Sequence, residues 1–573
     1  MGVALLWLAA HAPAYQGMAV PTGVRSSKQR IQTDLPPIHP DFRDVAAAAG
    51  LDMVHISGGR DSKKYIFETT GSGVAIFDFD NDGLMDVLLV NGTTLNDSGL
   101  PTSHLYRNLG NLKFADVTAK AGLTHSGWGQ GVCAGDYDND GYTDLFVTYY
   151  GHSRLYHNRG NGTFEDVTAK AGLQSNGVRW DTGCTFVDYD LDGKLDLVVT
   201  GYVDFDIAKV PEPGSGSYCQ WKGLPVMCGP RGLPAGRNYL FHNEGGGAFK
   251  DVSAASGVGA KTGCYGFTAI ASDFDNDGYP DIYVACDSTP SLLYHNRKDG
   301  TFEETGVAAG VALNEDGQEQ AGMGVAAADY DEDGYIDLIK TNFSDDAPNV
   351  YHNNGDGTFT DLVHRSGLSA HTQYLGWGIL FADVDHDGRK DIVVINGHVY
   401  PEIDKANLPA RYRQPRLLYW NVGDGKFVDL SAESGAGIRE ASSSRGAAAG
   451  DLDNDGTLEI VINNQGSRPS LLKNFGTVKN WLLVRAQGVK CTRDAVGARA
   501  YVYAGGRRLS GEVQTGSSFL SQNDPRLHFG LADAAAYDRI EIQWPHGQRE
   551  RFPAGKANRI VTLKEGTGIP VER

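Results

Sequence analysis

The chain of 573 residues and 61.6 kDa is too long for one ordinary compact domain, and its 74 glycines, about 13% against a usual value of roughly 7%, favour a turn-dense fold and exclude a helical bundle. A formal charge of -20 and a pI near 5.2 exclude a basic nucleic-acid-binding surface. With 41% hydrophobic and 10% aromatic residues the chain can bury a large core, so its acidity is not that of a disordered polymer.

Residues 1–20 read as a leader segment. The apolar stretch from Val3 to Ala10 is far short of the roughly 20 residues that span a bilayer, and Ala12-Pro13-Ala14 supplies a small-residue cleavage site, although no basic residue precedes Arg25. A linker at 21–40 leads into a strand-like segment at 41–51, Phe42-Arg43-Asp44-Val45 running to Ala49-Gly50-Leu51.

Seven acidic loops then follow at a mean spacing of about 62 residues, in the frame Asp-x-Asp-x-Asp-Gly-x-x-Asp. Their carboxylates at positions 1, 3, 5 and 9 are Asp78, Asp80, Asp82 and Asp86, then Asp136, Asp138, Asp140 and Asp144, then Asp188, Asp190, Asp192 and Asp196. The series continues with Asp273, Asp275, Asp277 and Asp281, with Asp329, Asp331, Asp333 and Asp337, with Asp383, Asp385, Asp387 and Asp391, and ends with Asp451, Asp453, Asp455 and Glu459. Position 7, occupied by Leu84, Tyr142, Lys194, Tyr279, Tyr335, Arg389 and Thr457, can add a backbone carbonyl.

Two signatures keep step with the loops. Leu-Tyr-x-Asn begins at Leu105, Leu155, Leu293 and Leu418, with variants at Leu240, Val350 and Leu471. Phe-x-Asp-Val-Thr-x-x-Ala-Gly-Leu is clearest at Phe114 and Phe164 and has relatives at Phe249, Phe302, Phe359 and Phe427. The seventh copy of this last signature is missing after Leu471 and stands at Phe42 instead. Branched runs before and after each loop, such as Gly73-Val-Ala-Ile-Phe77, read as strands. The fold expected is all-β: a seven-bladed β-propeller over 41–478 whose last blade is completed by the N-terminal strand, since an open solenoid would carry dedicated caps rather than one shared repeat. Longer intervals leave room for insertions at about 204–236 and 397–416, and a separate β-rich module at 479–566 precedes a short tail at 567–573.

Glycine at position 6 permits the turn that points the acids inward. Strands flank the loops and the ninth position closes them, unlike a helix-flanked calcium loop that ends in glutamate at 12. All-oxygen donors select a hard cation, and four carboxylates at flexible distances fit Ca2+ better than octahedral Mg2+. Two carboxylates about 5 Å apart repel by roughly 3 kcal/mol at an effective dielectric of about 20, so a folded loop without an ion is strained. A solvated Asx-rich turn would explain one such loop but not seven in register. Up to seven Ca2+ are expected, with the sixth loop (Val384, His386 and Arg389 between its acids) and the seventh (Glu459) the weakest.

The histidines recurring in the strand signature, His157, His242, His295 and His352, read as structural because they repeat. A ligand site should break the repeat. Six positions before each loop the residues do vary, and Gln130, Phe267, Met323, Trp377 and Arg445 are candidates for a ligand-binding mouth on the propeller axis, together with the two long loops. No Gly-x-Ser-x-Gly elbow, His-Glu-x-x-His helix or phosphate-cradling glycine loop is present, so hydrolase, metalloprotease and nucleotide chemistry lack support.

The repeats resemble the FG-GAP or VCBS repeats of integrin-like propellers, which bind calcium in their blade loops. In the tail, Arg493-Asp494, Gly497-Ala498-Arg499, Gly516-Ser517, Leu520-Ser521-Gln522, Leu527-His528-Phe529-Gly530-Leu531 and Trp544-Pro545 look like the ASPIC/UnbV module. The combination is similar to the cartilage acidic protein family and its bacterial relatives. That resemblance implies secretion, calcium binding and a matrix or cell-surface role with no established catalysis. The insertion Tyr218–Leu233 also looks like one of the bacterial members', and a Cys219–Cys228 disulfide would staple it in an oxidising compartment. Spacing alone does not pair Cys133, Cys184, Cys264, Cys286 or Cys491. The expected function is non-catalytic recognition of an extracellular glycan or of a matrix or surface protein. The alternatives are self-association by exchange of the Phe42 strand and a calcium-dependent carbohydrate-active enzyme.

Overall fold

The computed structural model describes residues 31–95, 103–261 and 263–571, so the leader expected at 1–20 lies outside the described residues. Seven four-stranded antiparallel sheets are arranged in a ring. Blade 1 runs outward through Val74–Phe77, Asp86–Leu89, His104–Asn108 and Phe114–Asp116. The innermost strands of blades 2 to 7 are Trp128–Gly135, Arg179–Val187, Gly266–Ser272, Val325–Ala328, Gly376–Ala382 and Ser444–Gly450, each packed against the next, and the last against Val74–Phe77. Blades 2 and 3 are further bridged where Trp180 pairs with Tyr150.

The ring closes as the permuted signature predicts. Phe42–Asp44 forms the outermost strand of blade 7, with Phe42 opposite Asn474 and Asp44 opposite Leu472 of the same chain. This removes the open ends of a solenoid and covers an edge that would otherwise offer unpaired backbone groups. Between neighbouring blades lie apolar seams, such as Val74, Val87 and Leu89 against Ala448, Val461 and Leu471.

The two strand signatures have distinct mechanical roles. In Leu-Tyr-x-Asn the asparagine ties each blade to the one before it: Asn158 Nδ2 donates to Phe79 O (2.8 Å), Asn243 to Tyr137 O (2.8 Å) and Asn353 to Phe274 O (2.7 Å). In Phe-x-Asp-Val-Thr the aspartate starts one helical turn, as Asp116 accepts from the Thr118 N–H at 2.9 Å, and Gly122 ends it at φ 82°.

The C-terminal module has three sheets, one of three strands centred on Asn480–Gln487, one of five containing Arg499–Ala504 and a two-stranded pair of Ala536–Tyr537 with Gly555–Lys556, around a core that includes fully buried Trp544. It is not separate in the sense its composition suggests. Its loop Gly516–Asp524 enters the propeller axis, where Gln522 N donates to Val74 O (2.9 Å), Val325 N to Ser518 O (2.8 Å) and Val132 N to Leu520 O (3.2 Å). The opposite end of the axis is closed by the two insertions. Trp221, Val226 and Met227 from the first and Val399, Tyr400 and Ile403 from the second join one buried cluster with Phe267, Met323, Trp377 and Phe519. Disulfides Cys219–Cys228 and Cys264–Cys286 lie at this end, and Cys133, Cys184 and Cys491 are buried thiols. Among the described residues no helix is long and apolar enough to cross a membrane.

Candidate metal centres

All seven acidic loops sit on one face of the ring and share one hydrogen-bonding pattern. In blade 4, Asp273 accepts from the N–H groups of Asp277 (2.9 Å) and Gly278 (3.0 Å), Asp277 accepts from Tyr279 N (2.9 Å), and Asp281 accepts from Asn296 N (2.9 Å). The position-7 N–H donates to the position-5 carboxylate in every loop, from Leu84 in the first to Thr457 in the last. The position-6 glycines lie at φ 87° to 99°. Position 4 is also left-handed, at φ 58° to 67°, and asparagine, which tolerates this conformation, fills it in four loops. There it links the ring: Asn139 Nδ2 donates to Gly193 O of the next loop (2.9 Å), and Asn454 Nδ2 returns to Gly83 O of blade 1 (3.1 Å).

This scaffold turns the acids toward one another in a partly desolvated site. Burial pushes the carboxyls of Asp86, Asp136, Asp188 and Asp383 up to about 8, and those of Asp144, Asp273, Asp337 and Asp451 up to about 7. Several oxygens have no donor, including Oδ1 of Asp190 and Asp331 and Oδ1 of Asp329, a residue only 8% exposed. Hard oxygen donors left unpaired at this density fit a divalent cation, and these clusters could hold metal ions.

The structure adds a residue to each site. The variable position of Leu-Tyr-x-Asn faces the loop, so the repeated histidines do more than pack a strand. His157 Nδ1 is 3.2 Å from Asp144, His242 Nδ1 3.1 Å from Asp196, His295 Nδ1 3.1 Å from Asp281 and His352 Nδ1 3.1 Å from Asp331. In each of these blades the histidine and two carboxylates can reach one ion, as with Asp275, Asp281 and His295. Hydrogen bonding to the ninth-position acid raises the imidazole pKa, to about 8 for His295 and about 9 for His352. In blade 6 the position is Trp420; in blade 1 it is Arg107 and in blade 7 Lys473. Arg107 reaches Asp80 (2.6 Å) and Asp82 (3.0 Å), and Lys473 Nζ reaches Asp453 (2.7 Å), Asp455 (2.9 Å) and Glu459 (3.1 Å). The first and seventh loops thus have a side-chain cation spanning two or more of their acids, a feature that lies outside the nine residues of the loop itself.

The tail residues that resemble the ASPIC/UnbV signature are those that meet the loops. Arg493 N donates to Asn139 (2.8 Å) and Asp136 N to Asp494 (2.7 Å). Arg499 contacts the Asp273 carbonyl and Asn276, and Gly530 N donates to Asp383 (3.1 Å). Arg526 binds the Asp451 carbonyl (2.6 Å) and Asn454 (2.7 Å) while paired with Asp524 (2.6 Å). Arginines on a partner surface are a direct counterpart to a face of clustered acids.

The axial column is the second correction. Gln130, Phe267, Met323, Trp377 and Arg445 converge as expected, but none is more than 2% exposed. Phe519 from the C-terminal loop packs edge-on against Phe267 and Trp377 at ring-centroid distances of 5.4 and 4.7 Å. Arg445 lies over Trp377 (4.2 Å) and donates to the carbonyls of Thr69 (2.9 Å), Ser444 (2.8 Å) and His398 (3.2 Å). The column is a filled core instead of an open mouth, because both insertions and the C-terminal loop are long enough to occupy the hole left by seven small inner strands.

Six stretches match the FG-GAP-like repeat family, at residues 78–147, 136–199, 227–284, 273–340, 341–394 and 410–462. The chain belongs to this family. Residues 488–570 match the family described as ASPIC and UnbV. The chain is similar to Cartilage acidic protein 1 of Homo sapiens, 26% identical over 331 residues that make up 55% of this chain and 46% of the relative. The same protein of Mus musculus is 26% identical over 52% of this chain and 45% of the relative. The chain thus spans about half the length of these curated relatives. Among solved structures, an Agrocybe aegerita lectin that recognises non-reducing terminal N-acetylglucosamine aligns with 78% of this chain and 95% of its own, at 16% identity and a TM-score of 0.36.

Proposed function

We propose that the protein is a secreted or cell-surface propeller, loaded with Ca2+ in its blade loops, that recognises an extracellular glycan or matrix protein without turning it over. The carboxylate loops favour calcium among divalent ions by their all-oxygen character. Two disulfides and the similarity to Cartilage acidic protein 1 support an extracellular setting.

The recognition reading is carried by a cleft of about 710 Å3 on the insertion face. Its walls are drawn from 54–63, Thr94, the turn at 465–466 and part of the second insertion, and its charged lining is Arg60, Lys63, Lys405 and Arg413 with Asp61 and Asp404, beside Tyr412. Three exposed cations, Arg60, Lys405 and Arg413, gathered on a chain of net -20 next to an aromatic ring suit a polar and partly anionic partner. The test is adhesion to arrayed glycans and matrix proteins, with calcium and with chelator, comparing the wild type with a Lys405→Glu/Arg413→Glu double variant. Saturable, calcium-dependent adhesion weakened about tenfold or more by the double variant is expected. Adhesion that is absent or indifferent to chelator overturns the reading, and release of a cleaved polysaccharide would assign catalysis in its place.

A further inference from the structure

We infer that the ring takes five divalent ions and not seven, because Arg107 in blade 1 and Lys473 in blade 7 stand as tethered cations where the other loops receive a metal. The inference rests on the calcium reading of the loops and concerns which of them are filled.

The same third-strand position faces the loop in each blade, and only its chemistry changes. A histidine stands there in blades 2 to 5 and a tryptophan in blade 6, and neither carries a permanent charge. In blade 5 the site keeps a buried carboxylate oxygen, Asp329 Oδ1, without any donor. Lys473 is 15% exposed at its side chain and contacts acids 3, 5 and 9 of its loop at once, at 2.7 to 3.1 Å. Arg107 spans acids 3 and 5. One oxygen of acid 3 still lacks a donor in these two loops, Oδ1 of Asp80 and of Asp453, while the other is taken by the side-chain cation.

The other cations near the loops act differently. Lys194 touches only Asp192, Lys298 only Asp277 and Arg389 only Asp387, each the position-5 acid at the rim, and Arg493 comes no nearer than 4.0 Å to Asp136, so none of these cations spans the acids of a loop. A divalent ion entering blade 7 must displace an ammonium from three carboxylates and then stand beside it. The chain holds that ammonium in place at high effective concentration.

The two self-neutralised blades flank the closure of the ring. Asp44 and Arg43 of the closing strand pair with Leu472 and Lys473, and the inner strand of blade 7 packs on that of blade 1. The seam that joins distant parts of the chain is therefore the part whose acids need no metal, and calcium fills the five blades away from the Phe42 strand.

The test counts ions by inductively coupled plasma mass spectrometry on full-length protein, calcium-loaded and desalted. The wild type is expected to retain five. Lys473→His, which gives blade 7 the arrangement of blades 2 to 5, should retain six, and His352→Lys should retain four. Hydrogen exchange of the chelated wild type should leave the strands Phe42–Asp44 and Ser470–Asn474 protected while the loop-flanking strands of blades 2 to 6 lose protection. Seven ions in the wild type, or a count that neither exchange changes in folded protein, overturns the inference and leaves the calcium reading intact. No retained ion in any form overturns the calcium reading itself. If Lys473→His does not fold, the reciprocal His352→Lys decides.

Discussion

The two faces of the propeller are closed by opposite means. On the loop face, repeated acids meet arginines, asparagine amides and backbone groups. On the insertion face, Trp221 of the disulfide-stapled first insertion, Tyr400 of the second, and Trp377 and Phe267 of the inner strands close the axis with aromatic surface. The difference follows from symmetry. A charge that recurs in every blade can be neutralised by a device that also recurs, whereas the axial hole occurs once and must be filled by side chains present once.

The largest effect expected is on the loop face. If each of five ions is held about tenfold below its ambient concentration, together they contribute roughly 7 kcal/mol, and EDTA should lower Tm by on the order of 10 °C. An unmoved melting transition would break the comparison at its root. Chelation should also expose a pH dependence. Without metal the folded state holds protons on Asp136, Asp188 and Asp383, whose pKa values burial raises to about 8, whereas the unfolded chain releases them near 4. That stability is fully present below the unfolded pKa and is lost as pH rises through the folded one. Metal-free protein should thus melt higher at pH 5.5 than at pH 8.5, and saturating calcium should abolish the trend, as thermal scans on both forms would show.

Next in size is a pair of substitutions, one for each kind of closure. Phe519→Ala opens a cavity in the aromatic plug and should cost about 3–5 kcal/mol. Arg526→Ala leaves Asp524 buried and unpaired beneath the loop of blade 7 and should cost a similar 3–5 kcal/mol. Denaturant titrations measure both. A loss under 1 kcal/mol for Arg526→Ala, with Phe519→Ala as expected, would make the polar face a mere veneer. Replacing Cys219 and Cys228 by serine sharpens the contrast further. A closed loop with a sequence separation of 9 is worth about 3 kcal/mol, and the loss should appear on the insertion face while calcium binding is unchanged.

The same symmetry decides what was legible in the sequence. Blade number, the clustering of the loop acids and the closing strand could be read because each repeats, and the missing copy after Leu471 pointed to Phe42. The caps were not legible. Nothing in Gly516–Asp524 marks a segment that enters another domain's axis, and the variable column at Trp377 and Arg445 signals convergence without revealing what fills the space above it. The contact that the histidines make was only half legible. Repetition showed that His157 and its counterparts share one environment, but not that the strand's alternation turns this position toward the acids of its own blade. The signal was available in the exceptions: only Arg107, Trp420 and Lys473 depart from histidine, and two of these three are cations.

The smallest effect expected concerns the links between loops. Asn139 sits at φ 59°, donates to Gly193 O and accepts from Arg493 N, so it serves the ring and the C-terminal module together. Replacing it separates two contributions. Asn139→Gly removes both side-chain bonds but keeps the left-handed backbone comfortable, and should cost about 1 kcal/mol. Asn139→Ala removes the same bonds and adds strain at positive φ, for a total of about 2 kcal/mol. Chemical denaturation of the calcium-loaded protein resolves a difference of that size. Equal losses would mean that position 4 is held open by the ion and not by the residue. The left-handed turns at Leu191, Glu332 and His386, where no asparagine helps, would then have the same explanation.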